Sequence, residues 1–328
     1  MKKALMVVLA TAVISVVASL AAPQIEAAPM ELKAVACFPR DNITNAQIPA
    51  WIDRMNKELS GTLKINWIGG PEVIAPFDQA EALRKGMFQI AFIASAYYMG
   101  MLPDADAVSL SKYDFKKERE KGGFWDYFIE RHKLINIIPV GTCYYDPYYL
   151  WVRKPVKNVA DMQGFKMRTA AKHDRMMVRL GMVPVSLQMP DTYTALQRGV
   201  VDGFVWPTLG PRDWGWTENV KNVIDVPFHG RMNYLILMNL DTWKKLPKEA
   251  QDKVIEITTA YEPEMRAYYQ KAIENEKQQC TKIGVKRVKF GPDDARKILD
   301  AADEAGWEAI KKAPPNVITE YKKLLGYK

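Results

Sequence analysis

Apolar and polar side chains alternate through Gly164–Arg168, with Phe165 and Met167 on one face and Lys166 and Arg168 on the other. A period of two is the signature of a half-buried strand. The run that follows sets Met176, Met177 and Leu180 on one helical face and ends at Gly181, a residue suited to the turn after a helix. A strand feeding a helix puts Arg168 at the strand's carboxyl end, where open α/β sheets bind ligands. Earlier in the chain, Met30–Phe38 reads as a first strand. Ile48, Trp51, Ile52, Met55 and Leu59 keep the spacing of an amphipathic helix closed by Gly61, and Leu63, Ile65 and Trp67 give a second strand. Ile90–Ser95 gives a third, and the order strand, helix, strand, helix, strand predicts a mainly parallel α/β sheet.

The first of these units recurs. Asp78, Ala82, Leu83 and Gly86 return in order as Asp191, Ala195, Leu196 and Gly199, each set reading as an Asp-capped short helix, a glycine stop and an apolar strand. Two copies so far apart point to two lobes of similar build facing one cleft, since solenoid repeats have far shorter periods. Between them, residues 137–155 form a long extended segment, rich in β-branched and aromatic residues, that crosses from the first lobe to the second. Residues 225–239 read as a turn and a further strand returning to the sheet. From Asp241, expected as a cap, the pattern is helical: one helix opens near Lys248 and runs to about Cys280 with a kink at Pro263, and more follow to Lys328. The reading is a two-lobed α/β protein with crossing strands and a long C-terminal helix: 28–150 as the first lobe, 151–240 as the second, and 241–328 as helices packing across both.

Composition changes little in this picture: 328 residues with 48% hydrophobic and 26% charged suit two globular lobes. The N-terminus changes more. Lys2 and Lys3, then an apolar run from Ala4 to Ala22 and small residues up to Ala27, follow the order of a secretory signal peptide, so residues 1–27 are expected to be removed and the protein exported. Lys2, Lys3 and Glu26 leave with that segment, which lowers the formal charge from +8 to +7. The remaining basic residues are interleaved with Glu and Asp, a solvated surface rather than a nucleic-acid patch. Cys37, Cys143 and Cys280 are too few for a disulfide framework; free buried thiols are expected, with Cys37–Cys143 the pair to bridge if any does.

Arg168 is the first candidate for chemistry, because a guanidinium offers a permanently charged, planar fork of donors for a carboxylate, phosphate or sulfonate. An ordinary surface salt bridge is the competing reading. Trp206 and Tyr97 lie just past strands of the two repeat units, where each either stacks on a ligand or seals the core. Arg40 and Asn42 occupy a loop after the first strand, a ligand contact or a capped turn. Tyr145 and Tyr148 on the crossing segment, and Asn233 at the start of the returning strand, complete the candidate ligand contacts. His132, His173 and His229 lack metal-ligand spacing, His173 with Asp174 reads as a solvated helix start, and no hydrolase, phosphate-loop or dinucleotide motif is present. Neither catalytic residues nor a metal nor a cofactor is expected.

Taken together, Gly164–Arg168, Tyr193–Gly203, Glu81–Phe92, His229–Gly230 and Asp241–Pro247 resemble the periplasmic solute-binding proteins of tripartite ATP-independent periplasmic (TRAP) transporters, the DctP type, over essentially the whole mature chain. The resemblance implies a monomeric periplasmic protein whose lobes close on a small organic anion and deliver it to the small and large permease subunits. It puts the family's cleft arginine at Arg168 and a ligand-contacting position at Trp206. Val205 stands where many members carry the Glu that some use near a metal, and Tyr148 where members binding larger acids have a second basic residue. A ligand with one anionic head, a carboxylate, oxo acid or sulfonate, is therefore expected. An extracytoplasmic sensor component and an exported enzyme acting on organic acids are the alternative readings.

Overall fold

The computed structural model describes residues 28–187, 189–229 and 232–327, so the expected signal peptide lies outside the described residues. Strands β1 (Met30–Ala36), β2 (Leu63–Gly69), β3 (Ile90–Ala94) and β4 (Ile137–Thr142) belong to a first sheet. Strands β5 (Tyr148–Val152), β6 (Lys166–Thr169), β7 (Val183–Ser186), β8 (Gly203–Trp206) and β9 (Asn222–Phe228) belong to a second. Two strands remain: β10 (Tyr234–Asn239) joins the first sheet and β11 (Lys286–Val288) the second, giving the orders β2-β1-β3-β10-β4 and β11-β9-β5-β8-β6-β7. β1 runs parallel to β2 and β3, and β6 parallel to β7 and β8. β3 and β8 are buried at every position, the near-continuous apolar strands of sheets covered on both faces, while β2 and β7 have exposed positions.

The crossing segment behaves as its composition suggests, with β4 in the first sheet leading to β5 in the second. Residues 225–239 add a crossing that the sequence pattern does not separate from a simple return: β9 stays in the second sheet, while β10 inserts between β3 and β4 of the first. β10 is antiparallel to both its neighbours, and so is β5 to β8 and β9. Each sheet thus takes its antiparallel strand from a crossing, and two chain segments tie the lobes at their base.

The helices are α1 (Ile48–Glu58), α2 (Gln79–Arg84), α3 (Phe115–Glu118), α4 (Phe124–Lys133), α5 (Asp174–Arg179), α6 (Thr192–Gln197), α7 (Leu240–Lys245), α8 (Lys248–Lys282), α9 (Pro292–Ala309) and α10 (Pro315–Leu324). α1 buries Ile48, Trp51, Ile52 and Met55, the stripe its spacing predicts. In the repeat, Gly86 and Gly199 stop α2 and α6 at φ of +74° and +69°, a conformation glycine adopts without strain. Asp78 and Asp191 hold the positions before those helices but make no capping bond through their side chains. Asp241 likewise does not cap; Asn239 does, its Oδ1 accepting the N–H of Thr242 at 2.8 Å. α8 runs on through Pro263 and spans the lobes. Near one end Trp51 of α1 donates to Thr258 at 3.1 Å, and near the other Arg212, in the loop beyond β8, pairs with Glu276 at 2.9 Å. Cys37, Cys143 and Cys280 are free and buried, so the pairing considered for the first two is not formed. Among the described residues, no helix is long and apolar enough to cross a membrane.

Candidate functional site

A cavity of about 590 Å³ opens between the lobes. The carboxyl ends of β6 and β8 and the residue after β7 form one wall, through Arg168, Trp206 and Leu187; Ala94 at the end of β3 and Tyr97 just beyond it face them from the other lobe. The parallel arrangement dictates this, because side-by-side strands release their loops at one edge.

Arg168 sits next to last in β6 and is only 5% exposed, so the polar-out half of the predicted alternation holds for Lys166 but not for it. Its guanidinium carbon lies 5.2 Å from the ring centre of Trp206 and 6.0 Å from that of Trp216. These faces offer cation–π attraction, but its Nε has no hydrogen-bond partner among the described residues, nor does a carboxylate of theirs pair with it. Burial draws its pKa down to about 10, with Tyr97 and Tyr148 acting weakly the other way, which leaves it cationic at neutral pH. A charge taken from water without a counter-ion costs several kcal/mol. An anion in the cavity would remove that penalty.

Four of the eight predicted contacts line the cavity: Arg168, Trp206, Tyr97 and Tyr148. Trp206 donates its Nε1–H to the backbone of Leu209 at 3.2 Å, which fixes the ring. Tyr97 lies edge-on to Phe77 at 4.9 Å and to Phe38 at 6.3 Å, both also at the cavity wall. Tyr148 packs on His173 at 4.6 Å. The other four lie elsewhere. Arg40 is exposed, stacks on Trp67 at 4.3 Å and donates to its carbonyl at 2.7 Å. Asn42 caps a short turn through the N–H of Thr44 at 3.0 Å, the alternative its loop position left open. Tyr145 lies under the guanidinium of Arg266, 4.6 Å away. Asn233 is buried behind the wall, donating to Ala105 at 3.1 Å and to Asp106 at 3.3 Å.

Among the lining residues outside the predicted set, two buried polar ones stand beside Arg168. Lys172 and His173 are 8% and 2% exposed, so the solvated helix start expected at His173 is instead buried cavity wall. Both follow Arg168 on the connection from β6 to α5, and the strand-to-helix geometry that places Arg168 at the crevice places them there too. Lys172 Nζ lies 3.3 Å from Oδ2 of Asp106. Burial depresses the Lys172 ammonium and raises the Asp106 carboxyl, but their mutual attraction prevails and leaves each more firmly charged than usual. Burial, reinforced by Lys172, His229 and Arg168, holds His173 well below its usual pKa and therefore neutral. Among the described residues, no three His, Cys, Asp or Glu side chains converge to hold a metal ion.

Two α/β lobes tied by crossing strands and a spanning helix, with a charged cavity at their interface, define the two-lobed periplasmic binding fold. A solved solute-binding protein of TRAP type from Desulfovibrio salexigens, with bound orotic acid, superposes with a TM-score of 0.78 at 18% identity, covering 90% of this chain and 98% of that one. One from Roseobacter denitrificans with bound β-D-glucuronate gives 0.75 at 19% identity, covering 91% and 100%. In sequence, the monocarboxylate 2-oxoacid-binding periplasmic protein of Nostoc is 25% identical over 221 residues, a match spanning 61% of this chain and 57% of that protein. Residues 37–312 match the bacterial extracellular solute-binding protein family 7, the DctP family, and the chain belongs to it.

Proposed function

We propose that this protein captures a small organic anion in the periplasm by closing its lobes on it, and delivers it to the small and large membrane subunits of a TRAP transporter. The observation that carries the proposal is Arg168, a buried cation at the wall of a 590 Å³ cavity with no protein counter-ion among the described residues. A carboxylate or sulfonate fits the guanidinium fork by two parallel charge-assisted hydrogen bonds. Trp206, Tyr97, Tyr148 and Phe77 supply flat apolar surface for the body of the ligand. The relatives whose ligands are named hold a 2-oxoacid, orotic acid and glucuronate, which supports an organic acid here. The reading is of a monomer without turnover: burial holds the imidazole of His173 well below its usual pKa, which makes it a weak base, and its Nε2 has no hydrogen-bond partner among the described residues.

A thermal-shift screen of the exported protein against a broad set of organic acids, sugars and amines tests this reading. A ligand at 100 times its Kd adds about 2.7 kcal/mol to stability. Stabilisation by a group of carboxylates or sulfonates is the expected result; hits confined to sugars or amines would overturn it.

A further inference from the structure

We propose that Lys172 at the cavity wall and Asp106 just behind it, meeting from opposite lobes, form a charge-neutral recognition pair that admits an organic anion with one charge and a neutral polar tail and rejects dianions. The inference rests on the reading of Arg168 as the partner of the ligand's anionic head. Lys172 belongs to the second lobe, on the connection leaving β6. Asp106 belongs to the first, just before the turn Ala107–Leu110.

The pair is built to be neutral yet incompletely used. Asp106 is 4% exposed, and besides Lys172 its oxygens accept from Ser95, from Ser109 at 2.8 Å and from Asn233 at 3.3 Å. It is thus fully engaged from behind. Lys172 stands on the cavity side, and its Nζ reaches the two carboxylate oxygens at only 3.3 and 3.5 Å. A strong charge-assisted hydrogen bond is about 2.7–2.9 Å long; with Asp106 held loosely and Tyr148 its other side-chain partner, the ammonium, with three donors, keeps one for a ligand. Next to it His173 presents Nε2, which lacks a hydrogen-bond partner among the described residues although the residue is 2% exposed.

The charges at this wall set the selectivity. Among the described residues, Arg168 and Lys172 are buried cations at the wall and Asp106 a buried carboxylate behind it, which leaves one net positive charge. Asp191 and Lys312 also reach the cavity but are exposed, where water and salt screen them. One carboxylate or sulfonate on Arg168 balances the wall. A second carboxylate against Lys172 would meet Asp106 at short range in a desolvated site, and like charges so placed repel strongly. A hydroxyl, keto or amide oxygen instead accepts from Lys172 without adding charge, and His173 Nε2 completes its hydrogen bonding.

Titration calorimetry on matched acids decides the matter: benzoate with terephthalate, hexanoate with adipate, and oxovalerate with oxoglutarate. Wild type should bind the monoanion of a pair about tenfold or more tighter than the dianion, because repulsion between unpaired like charges is the discriminating element. Asp106→Asn frees the charge of Lys172 and should cut that preference about tenfold. Lys172→Gln serves if Asp106→Asn does not fold. It leaves Asp106 uncompensated, so it should weaken the monoanions about tenfold while dianions stay excluded. A purely structural role for the pair would lower the melting temperature of the variants and leave the ratio unchanged, which overturns the inference, as does equal binding of both members by wild type. Binding of none of these acids removes the anion reading itself, and this inference with it.

Discussion

The carboxylate Oδ2 of Asp146 accepts the backbone N–H of Leu209 at 2.9 Å, which fastens the first crossing segment to the loop beyond β8. The same residue's carbonyl accepts from Met232 of the second crossing at 3.0 Å. A single buried aspartate therefore joins the strands on which the lobes would hinge.

Burial pushes the Asp146 carboxyl up to about 7, despite the bonds from Leu209 and Tyr144 that favour its charge. A raised acid contributes stability that is complete below its ordinary pKa near 3.8 and is lost as pH climbs through 7. Wild type should lose stability relative to Asp146→Asn, which mimics the protonated form, between about pH 4 and pH 7, by at most about 1.4 kcal/mol per unit. His132 and His229, drawn down to about 4 by burial, act oppositely: their stability is present at neutral pH and is lost as pH falls from the ordinary histidine value through 4, and His173, held well below that ordinary value, acts in the same direction. They are common to both proteins, so the difference isolates Asp146. Denaturant unfolding of the two across this range checks it, and a difference that does not vary with pH would contradict it.

Glu262 of α8 is 1% exposed and is held by Arg119 through bonds of 2.6 and 2.7 Å, with the N–H of Thr142 at 3.1 Å. Arg119→Met strands that carboxylate and should destabilise the protein by about 3–5 kcal/mol. Adding Glu262→Gln should recover much of the loss. Urea unfolding of the single and double variants reads both effects.

A Cβ on Gly203 would sit 2.1 Å from the carbonyl oxygen of Trp151 and 3.0 Å from the sulfur of Met167. The first neighbour is backbone of the paired strand β5 and cannot step aside. Gly203→Ala should therefore lower stability by about 1–3 kcal/mol or more. Gly61→Ala, where a Cβ meets nothing within 4 Å, provides the control and should stay close to wild type in its melting temperature.

The lobes, their strand order up to the crossings and the long helix were legible because apolar periodicity and glycine stops report local geometry. Pairing partners were not, since β10 is as apolar as any strand and nothing in its pattern says which sheet receives it. The position of Arg168 at the cavity was legible because strand and helix spacing fix the carboxyl end of β6. Lys172 and His173 were missed because charge and a nearby Asp174 favour a solvated reading, and only Asp106 from the other lobe makes burial of the lysine tolerable. Arg40 and Asn42 lie outside the cavity, with local partners, because a loop after a strand satisfies its own polar groups as readily as a ligand's.

Free thiols at Cys37, Cys143 and Cys280 are buried, and burial pushes Cys37 and Cys280 up to about 12. Thiolate is the reactive form, so an aromatic disulfide reagent should leave all three untouched in the native protein and titrate them only after unfolding. Rapid native labelling would contradict the burial of these three residues.

Calorimetric titration of wild type and Arg168→Ala with the acid that gives the largest thermal shift tests the central claim most directly. Removing Arg168 should cost about 2–5 kcal/mol of binding while raising the melting temperature of the unliganded protein, because an uncompensated buried cation disappears. Affinity unchanged in Arg168→Ala, with the protein folded, would contradict the assignment of Arg168 as the anion's partner.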